Sequence, residues 1–328
     1  MKKLILLASA LMLTTGTVQA AEKMRCSHQL PPRHHIAIVI GKWAEEVKKL
    51  AGGELDVQVF GANSLVGAAQ NISSVAQGNI ECAFSVNFQW GKTLPIMNVT
   101  LRPYSVTDLA TLKAWPGSEA AKFLDAAMEK KSVRNVVWLF TTRMSAFTSK
   151  GKALIKPDDF KGVKIRGLNP IVDSSLVAMG AAPAVMPGSA VYQALSTGVI
   201  DAGLTDISAA YSRKYYEVQD YITGTPFFSV FFHGYLNPAW YDKLPAKAKA
   251  AIAEAGKQAA VWAIDATEAS AADAPKLLAE KGMKVHMHTD AEVAVMKAAT
   301  LPAFDKTFAE ATGDEGKKLL ELVGKLSK

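Results

Sequence analysis

The sequence predicts an α/β protein of two lobes. Three observations carry this. Strand and helix patterns alternate over 23–86 and again over 135–204. A segment of the first series has an echo in the second. A helical pattern near the end is also too long for one lobe.

Lys23–Ser27 reads as a short strand, closed by Pro31-Pro32. Ile36, Ile40, Trp43, Ala44, Val47 and Leu50 then recur at helical spacing with charged residues between them. Gly52-Gly53 stops that helix. Leu55–Phe60 alternates as a strand, Gly67–Gln77 is a second helix ended by Gly78, and Ile80–Val86 is a third strand. The order β-α-β-α-β predicts parallel strands with crossover helices. Beyond a helix near Ser118–Lys130, strands are expected at Asn135–Phe140, Phe147–Ser149, Val163–Arg166, Ala184–Met186 and Ile200–Leu204. Helices fall between them at Ile171–Ala178 and Ala190–Thr197.

The echo pairs Val75–Ala83 (VAQGNIECA) with Leu195–Gly203 (LSTGVIDAG), 120 residues apart. Each has a helix end, a Gly suited to positive φ, an apolar residue, an acid and a small residue. Leu244–Lys281 reads as one helix, with Pro245 in its first turn and Pro275 inside, where a kink is expected. At 1.5 Å per residue it would reach about 57 Å, enough to run along both lobes. Ala291–Leu326 is a further amphipathic helix.

The chain has 328 residues, 49% hydrophobic and 20% charged, which allows two domains and a core that needs no metal or disulfide staple. Lys2-Lys3, the apolar run Leu4–Leu13 and Val18-Gln19-Ala20 have the order of an export signal, with cleavage expected after Ala20. The run is too short to span a bilayer, and no other segment has 18 uncharged apolar residues in a row. Loss of Lys2 and Lys3 lowers the formal charge from +7 to +5. That is mildly basic, with no dense Lys/Arg run of the kind nucleic acid requires. Two cysteines, Cys26 and Cys82, fall in expected strands of one lobe. An oxidising compartment permits a bridge, but two buried free thiols are the favoured reading.

Enzyme signatures are absent: no G-x-S-x-G, H-E-x-x-H or G-x-x-x-x-G-K-[ST], and no dinucleotide fingerprint after a strand. No cofactor is expected. His286-x-His288 lacks a third metal ligand, and His34-His35 sits in a loop before a helix, a place suited to ligand contact. The sharper feature is Asp158–Arg166 (DDFKGVKIR). It puts Arg166 at the end of a strand, where open α/β sheets bind ligands. The planar guanidinium fork suits a carboxylate; a surface salt bridge is the competing role.

Lys161–Arg166 (KGVKIR) resembles the segment that ends in the carboxylate-binding arginine of DctP-type substrate-binding proteins of TRAP (tripartite ATP-independent periplasmic) transporters. Val191–Asp201 (VYQALSTGVID), Tyr215–Val218, Ser27-His28, Gly52–Val59 and the long helix after Asn237–Tyr241 are similar to that family's ordered motifs. The resemblance covers the whole chain after residue 20. It implies the two-lobed periplasmic solute-binding protein fold, with hinge strands and a long kinked helix spanning both lobes. The expected lobes are 21–142 with 228–271, and 143–227 with 272–328.

The resemblance implies a carboxylate-binding role for Arg166. Thr205 stands where many relatives have an Asn donor. Asp206 could accept from the ligand or cap the next helix, and Arg143 aligns with a second family arginine. Gly188 replaces a frequent aromatic, which would open a pocket wall and admit an acid bulkier or more aromatic than a C4-dicarboxylate. Further wall residues are expected from His34, from Asn87, Phe88 and Trp90, and from Phe231 among the hinge aromatics. The implied function is capture of a small organic acid anion in the periplasm by lobe closure, without catalysis. A monomer would deliver it to the small and large integral-membrane subunits of a transporter. The alternatives are an exported α/β enzyme acting on small acids, or a ligand-sensing partner of a membrane receptor.

Overall fold

The structure, a computed structural model, describes residues 21–326; the expected export signal lies outside them. Two sheets organise the chain. In the first lobe, β1 (Glu22–Ser27) is flanked by β2 (Leu55–Phe60) and β3 (Cys82–Val86), both parallel to it. The sheet is completed by β4 (Arg134–Thr142) and by β10 (Val230–Leu236), which runs antiparallel between β3 and β4. The second sheet contains β5 (Ser145–Ser149), β6 (Lys164–Gly167), β7 (Ala182–Val185), β8 (Ala202–Asp206), β9 (Tyr221–Thr225) and β11 (Lys284–Met287) in the order β11-β9-β5-β8-β6-β7. Here β6 is parallel to β7 and β8, whereas β5 is antiparallel to β8 and β9. The chain therefore crosses between sheets after β4 and before β10.

The helices are α1 (His35–Ala51), α2 (Asn71–Ala76), α3 (Leu109–Ala114), α4 (Glu119–Glu129), α5 (Pro170–Ala178), α6 (Val191–Ser196), α7 (Ile207–Ser212), α8 (Pro238–Tyr241), α9 (Ala246–Glu280) and α10 (Asp290–Gly324), of which the short α3, α7 and α8 have no counterpart among the expected ones. Buried alanines at 248, 251, 255, 259 and 263 form the contact face of α9. Small side chains let it lie close on α1 and β4, and a Cβ at Gly256 would come within 2.7 Å of the Val136 carbonyl. Farther along, Ala274 and Leu278 enter the core of the second lobe with Tyr215 and Ile222. The helix thus spans both sheets and runs unbroken past Pro275. Pro245 is its N-cap rather than a first-turn residue. A kink interrupts α10, at Gly313 (φ 53°, ψ −134°).

The sequence echo is structural. α2 and α6 each follow a 3-10 turn and end near a glycine in the left-handed region, Gly78 (φ 76°) and Gly198 (φ 71°). The acids of the echo do the same work. Glu81 accepts from the Arg25 amide at 2.9 Å, and Asp201 from the Lys164 amide at 3.0 Å. Each satisfies a backbone donor on β1 or β6, strands of the same sheet as the β3 or β8 that follows it.

Cys26 and Cys82 form a disulfide, correcting the expectation of free thiols. Parallel pairing of β1 and β3 sets the two residues directly opposite each other. That register is a tertiary fact which spacing along the chain does not reveal.

Candidate functional site

A cavity of about 40 Å³ lies between the two sheets, at the C-terminal ends of β1, β3, β6 and β8. β6 carries Arg166 into it. Gly167, next in line, lacks the Cβ that would come within 2.5 Å of the Asp173 carboxylate, and Asp173 in turn accepts from the Leu168 amide. That acid fixes the turn after the strand. Burial pushes its carboxyl up to about 6.

Arg166 is 3% exposed. Its Nε donates to the Met186 carbonyl at 3.3 Å and Nη1 to that of Leu204 at 2.8 Å. These bonds orient the guanidinium without neutralising it. The Phe88 ring of the first lobe lies over it, 5.8 Å from the ring centroid. Burial pulls the group down to about 10, so it stays protonated at any neutral pH. An ionised guanidinium out of water is costly unless an anion meets it.

Thr205, Asp206 and Arg213 also line the cavity. Asp206 caps α7, its Oδ1 accepting from the Ser208 and Ala209 amides and the Ser208 hydroxyl, while Oδ2 is buried without a partner. Burial raises its carboxyl above the ordinary range. Arg213 Nη1 donates to the Thr205 hydroxyl at 3.4 Å. The first lobe adds His34, whose Nδ1 accepts from the Ile36 amide, so its proton is on Nε2. Burial, then His35 and Arg213, hold His34 well below the usual imidazole value. Phe228, Val230 and Phe232 close the hinge side.

Of the residues expected from sequence, Arg166, Thr205, Asp206, His34, Phe88 and Gly188 line this cavity. Four do not. Arg143 makes a two-pronged pair with Glu268 on α9, at 3.1 and 2.5 Å, so its charge is already answered. Asn87 donates to the Met97 carbonyl and Thr100 hydroxyl and accepts from the Phe231 amide. Trp90 donates to His233 Nε2 at 2.8 Å inside the first lobe. Phe231 stacks on Trp115 in the core. Strand alternation explains the last: Val230 and Phe232 face the cavity, so Phe231 points away.

The wall expected to be missing at Gly188 is present. A Cβ there would lie 2.8 Å from both terminal nitrogens of Arg213, whose guanidinium fills the space. This removes the ground for expecting a bulkier ligand. Sequence reading missed Arg213, which ends α7 in no recognisable motif; the departure at Gly188 was its one indirect signal. His286 and His288 lie apart from the cavity, the first 3.0 Å from Glu292 and the second 3.0 Å from the Thr225 hydroxyl. Among the described residues no cluster of three or more His, Cys, Asp or Glu is placed to hold a metal, and no helix is long and apolar enough to cross a membrane.

Residues 26–311 match the family model described as bacterial extracellular solute-binding protein, family 7. A solute-binding protein of Albidiferax ferrireducens is 26% identical over 251 residues, 75% of this chain and 73% of that protein. The C4-dicarboxylate-binding periplasmic protein DctP of Rhodobacter capsulatus is 27% identical over 319 residues, 94% of this chain and 93% of its own. Among solved structures, a TRAP periplasmic solute-binding protein of Desulfovibrio salexigens with bound orotic acid superposes with a TM-score of 0.87. It is 22% identical, with 93% of this chain and 98% of that one covered.

Proposed function

The chain belongs to the bacterial extracellular solute-binding proteins of family 7, and from that premise we propose that it captures a small organic acid anion through Arg166 and delivers it to the membrane subunits of a TRAP transporter. The observation that carries this is the buried Arg166 guanidinium, facing the interlobe cavity with no carboxylate within 4.0 Å among the described residues. A ligand carboxylate supplies the missing charge through two parallel hydrogen bonds.

The lobes of this reading are 21–142 with 228–271, and 143–227 with 272–328. They hinge where the chain crosses between sheets. Ligand enters when the lobes part. Closure then excludes water, and the lower local dielectric strengthens the Arg166 pair. The ligand drives closure by as much as it prefers the closed state. The protein works as a monomer in the periplasm after cleavage following Ala20, and carries out no chemical step. Binding of small acids by relatives such as the Rhodobacter capsulatus protein supports the substrate class.

The test is a melting series on protein stripped of ligand by unfolding and refolding, against dicarboxylates, sugar acids, 2-oxo acids and aromatic acids. An acid at about 100 times its Kd stabilises the fold by roughly 2.7 kcal/mol. A shift with one class, lost in Arg166→Ala, supports the proposal. No shift with any acid in folded protein defeats it.

A further inference from the structure

A second cavity, of about 710 Å³, lies at the outer end of the second lobe, where β5 ends and β6 and β8 begin. The interlobe cavity is at the opposite ends of β6 and β8, and the two share no lining residue. The outer cavity has the size of a small-molecule site, about 300–1,000 Å³.

The internal echo shows why the chain leaves this space open. In the first lobe β10 runs antiparallel to β3 with Leu236 opposite Cys82; in the second, β5 runs antiparallel to β8 with Ser149 opposite Ala202. Cys82 and Ala202 are the same position of the echo, so the next residues, Asn237 and Lys150, are equivalent in place. Asn237 turns back onto its unit. Its amide donates to the Glu81 carbonyl at 3.0 Å and its Nδ2 to the Val75 carbonyl at 2.8 Å, and a Cβ on Gly78 would lie 3.6 Å from that Nδ2. Among the described residues Lys150 makes no corresponding bond. A Cβ on Gly198, the counterpart of Gly78, would have nothing within 4 Å. One lobe thus covers its helix-glycine-strand unit with its own chain, and the other leaves it to a cavity.

The lining has two chemistries. Leu154, Leu195 and Ile200 are buried and apolar. Lys150, Lys152 and Lys161 are basic, against one acid, Asp201, which accepts from the Lys164 amide. Lys161 pairs with Asp158 at 2.8 Å; Lys150 and Lys152 have no carboxylate partner among the described residues. The turn that carries these two is held in shape. The Ser149 hydroxyl donates to the Lys152 carbonyl at 2.5 Å, and Gly151 (φ 81°) donates its amide to Asp220 at 2.9 Å. No arginine lines the cavity. Lysine is a compact point charge suited to phosphate, whereas the arginine fork of the interlobe cavity suits a carboxylate. Two unanswered ammonium groups match a phosphate monoester, which carries about −1.5 to −2 at pH 7. We propose that this cavity is a second, separate anion site that takes a phosphate monoester with an apolar body. The phosphate meets Lys150 and Lys152, and the body lies against Leu154, Leu195 and Ile200. The site does not depend on the solute-binding reading of the interlobe cavity.

The test is calorimetric titration at pH 7.5 with 1-naphthyl phosphate and, as a singly charged control of the same shape, 1-naphthyl sulfate. It is run on wild type, Lys150→Gln/Lys152→Gln and Arg166→Gln, each first shown folded by its melting curve. Wild type is expected to bind the phosphate about tenfold tighter than the sulfate, the worth of one further charge-assisted contact. The double lysine variant removes that preference and weakens the phosphate by at least about tenfold, whereas Arg166→Gln leaves it within about threefold. Vesicles of phosphatidylcholine with and without phosphatidic acid separate the two sources of such a group. Sedimentation of wild type, but not of the lysine variant, with the phosphatidic acid vesicles supports a lipid headgroup. Binding of the soluble probe without sedimentation supports a free phosphate ester. No binding of 1-naphthyl phosphate, equal affinity for the sulfate, or binding lost in Arg166→Gln and kept in the lysine variant overturns the proposal. The melting series with organic acids should be unchanged by the lysine substitutions, so the two sites stand or fail separately.

Discussion

Nδ1 of His35, at the start of α1, lies 3.2 Å from the hydroxyl of Ser208 on α7. This contact ties the first lobe to the second behind the cavity. Ser208 donates on to Asp206 Oδ1 at 2.5 Å, and Asp206 lines the cavity itself. In front, Asn169 of the second lobe donates to the Phe88 carbonyl at 3.0 Å and to Asn98 at 2.7 Å. The cavity is thus enclosed between two polar ties between the lobes.

The rear tie makes binding depend on pH. Burial holds both His34 and His35 below the usual imidazole value in the closed form. In open, hydrated lobes they would protonate near their ordinary value of about 6.5. Closure therefore expels protons, and affinity is expected to fall as pH drops below about 6.5, by up to about tenfold per unit for each imidazole. Asp206, raised by burial, opposes this, because closure favours its protonated form. Two imidazoles against one carboxyl leave the fall at low pH dominant. Titration at pH 5, 6 and 7.5 measures it, and His35→Gln should flatten the curve. A wild-type affinity that rises on acidification would refute the assignment.

The Cys26–Cys82 bridge joins residues 56 apart. Chain entropy sets its stabilisation at up to about 4 kcal/mol for a loop of that length. The double variant Cys26→Ala/Cys82→Ala, or reductant on wild type, should lower the melting temperature. Neither cysteine lines the cavity, so ligand affinity at 20 °C should hold. A variant that melts like the oxidised protein shows that the bridge contributes nothing.

Inside the first lobe, Trp90 Nε1 donates to His233 Nε2 at 2.8 Å, and His233 Nδ1 then donates to Asn135 Oδ1 at 3.0 Å. Only a neutral ring with its proton on Nδ1 fits both, and burial drives this histidine down to about 3. His233→Phe would strand a buried indole N–H and an amide oxygen. At about 1–3 kcal/mol per unpaired group, a loss of several kcal/mol in urea unfolding is expected. A loss below about 1 kcal/mol would show that the chain relaxes around the gap.

The same chain ends on Asp125 Oδ1, which accepts from Asn135 at 2.9 Å and Trp138 at 3.0 Å. Burial pushes this carboxyl up to about 6 against those two donors. Its folded value is raised, so the stability it carries is present at low pH and lost as pH rises through about 6. Asp125→Asn keeps the acceptor and removes the titration. The variant should gain on wild type between pH 4 and pH 7.5, read as a widening difference in melting temperature. A constant difference would place the carboxyl at its ordinary value.

Much of this molecule was legible locally. The Val75–Ala83 and Leu195–Gly203 echo marked two helix-glycine-strand units, because a left-handed glycine and a strand-start acid are short-range requirements. The place of Arg166 beside the cavity was legible because the strand ends of an open α/β sheet border a cleft whatever surrounds them. Phe231 was misplaced because aromatic runs in a hinge strand do not reveal which face is inside. Arg143 was misplaced because nothing near it announces Glu268, 125 residues away.

What the sequence by itself determined was the order of strands and helices and the side chain at each strand's end, since periodicity, glycine and proline act within a few residues. Tertiary structure alone decided the partners. It set Cys26 against Cys82, answered Arg143 with Glu268, and put the guanidinium of Arg213 in the space above Gly188. Charge compensation and close packing are settled between distant segments, so they exist only once the sheets and helices have come together.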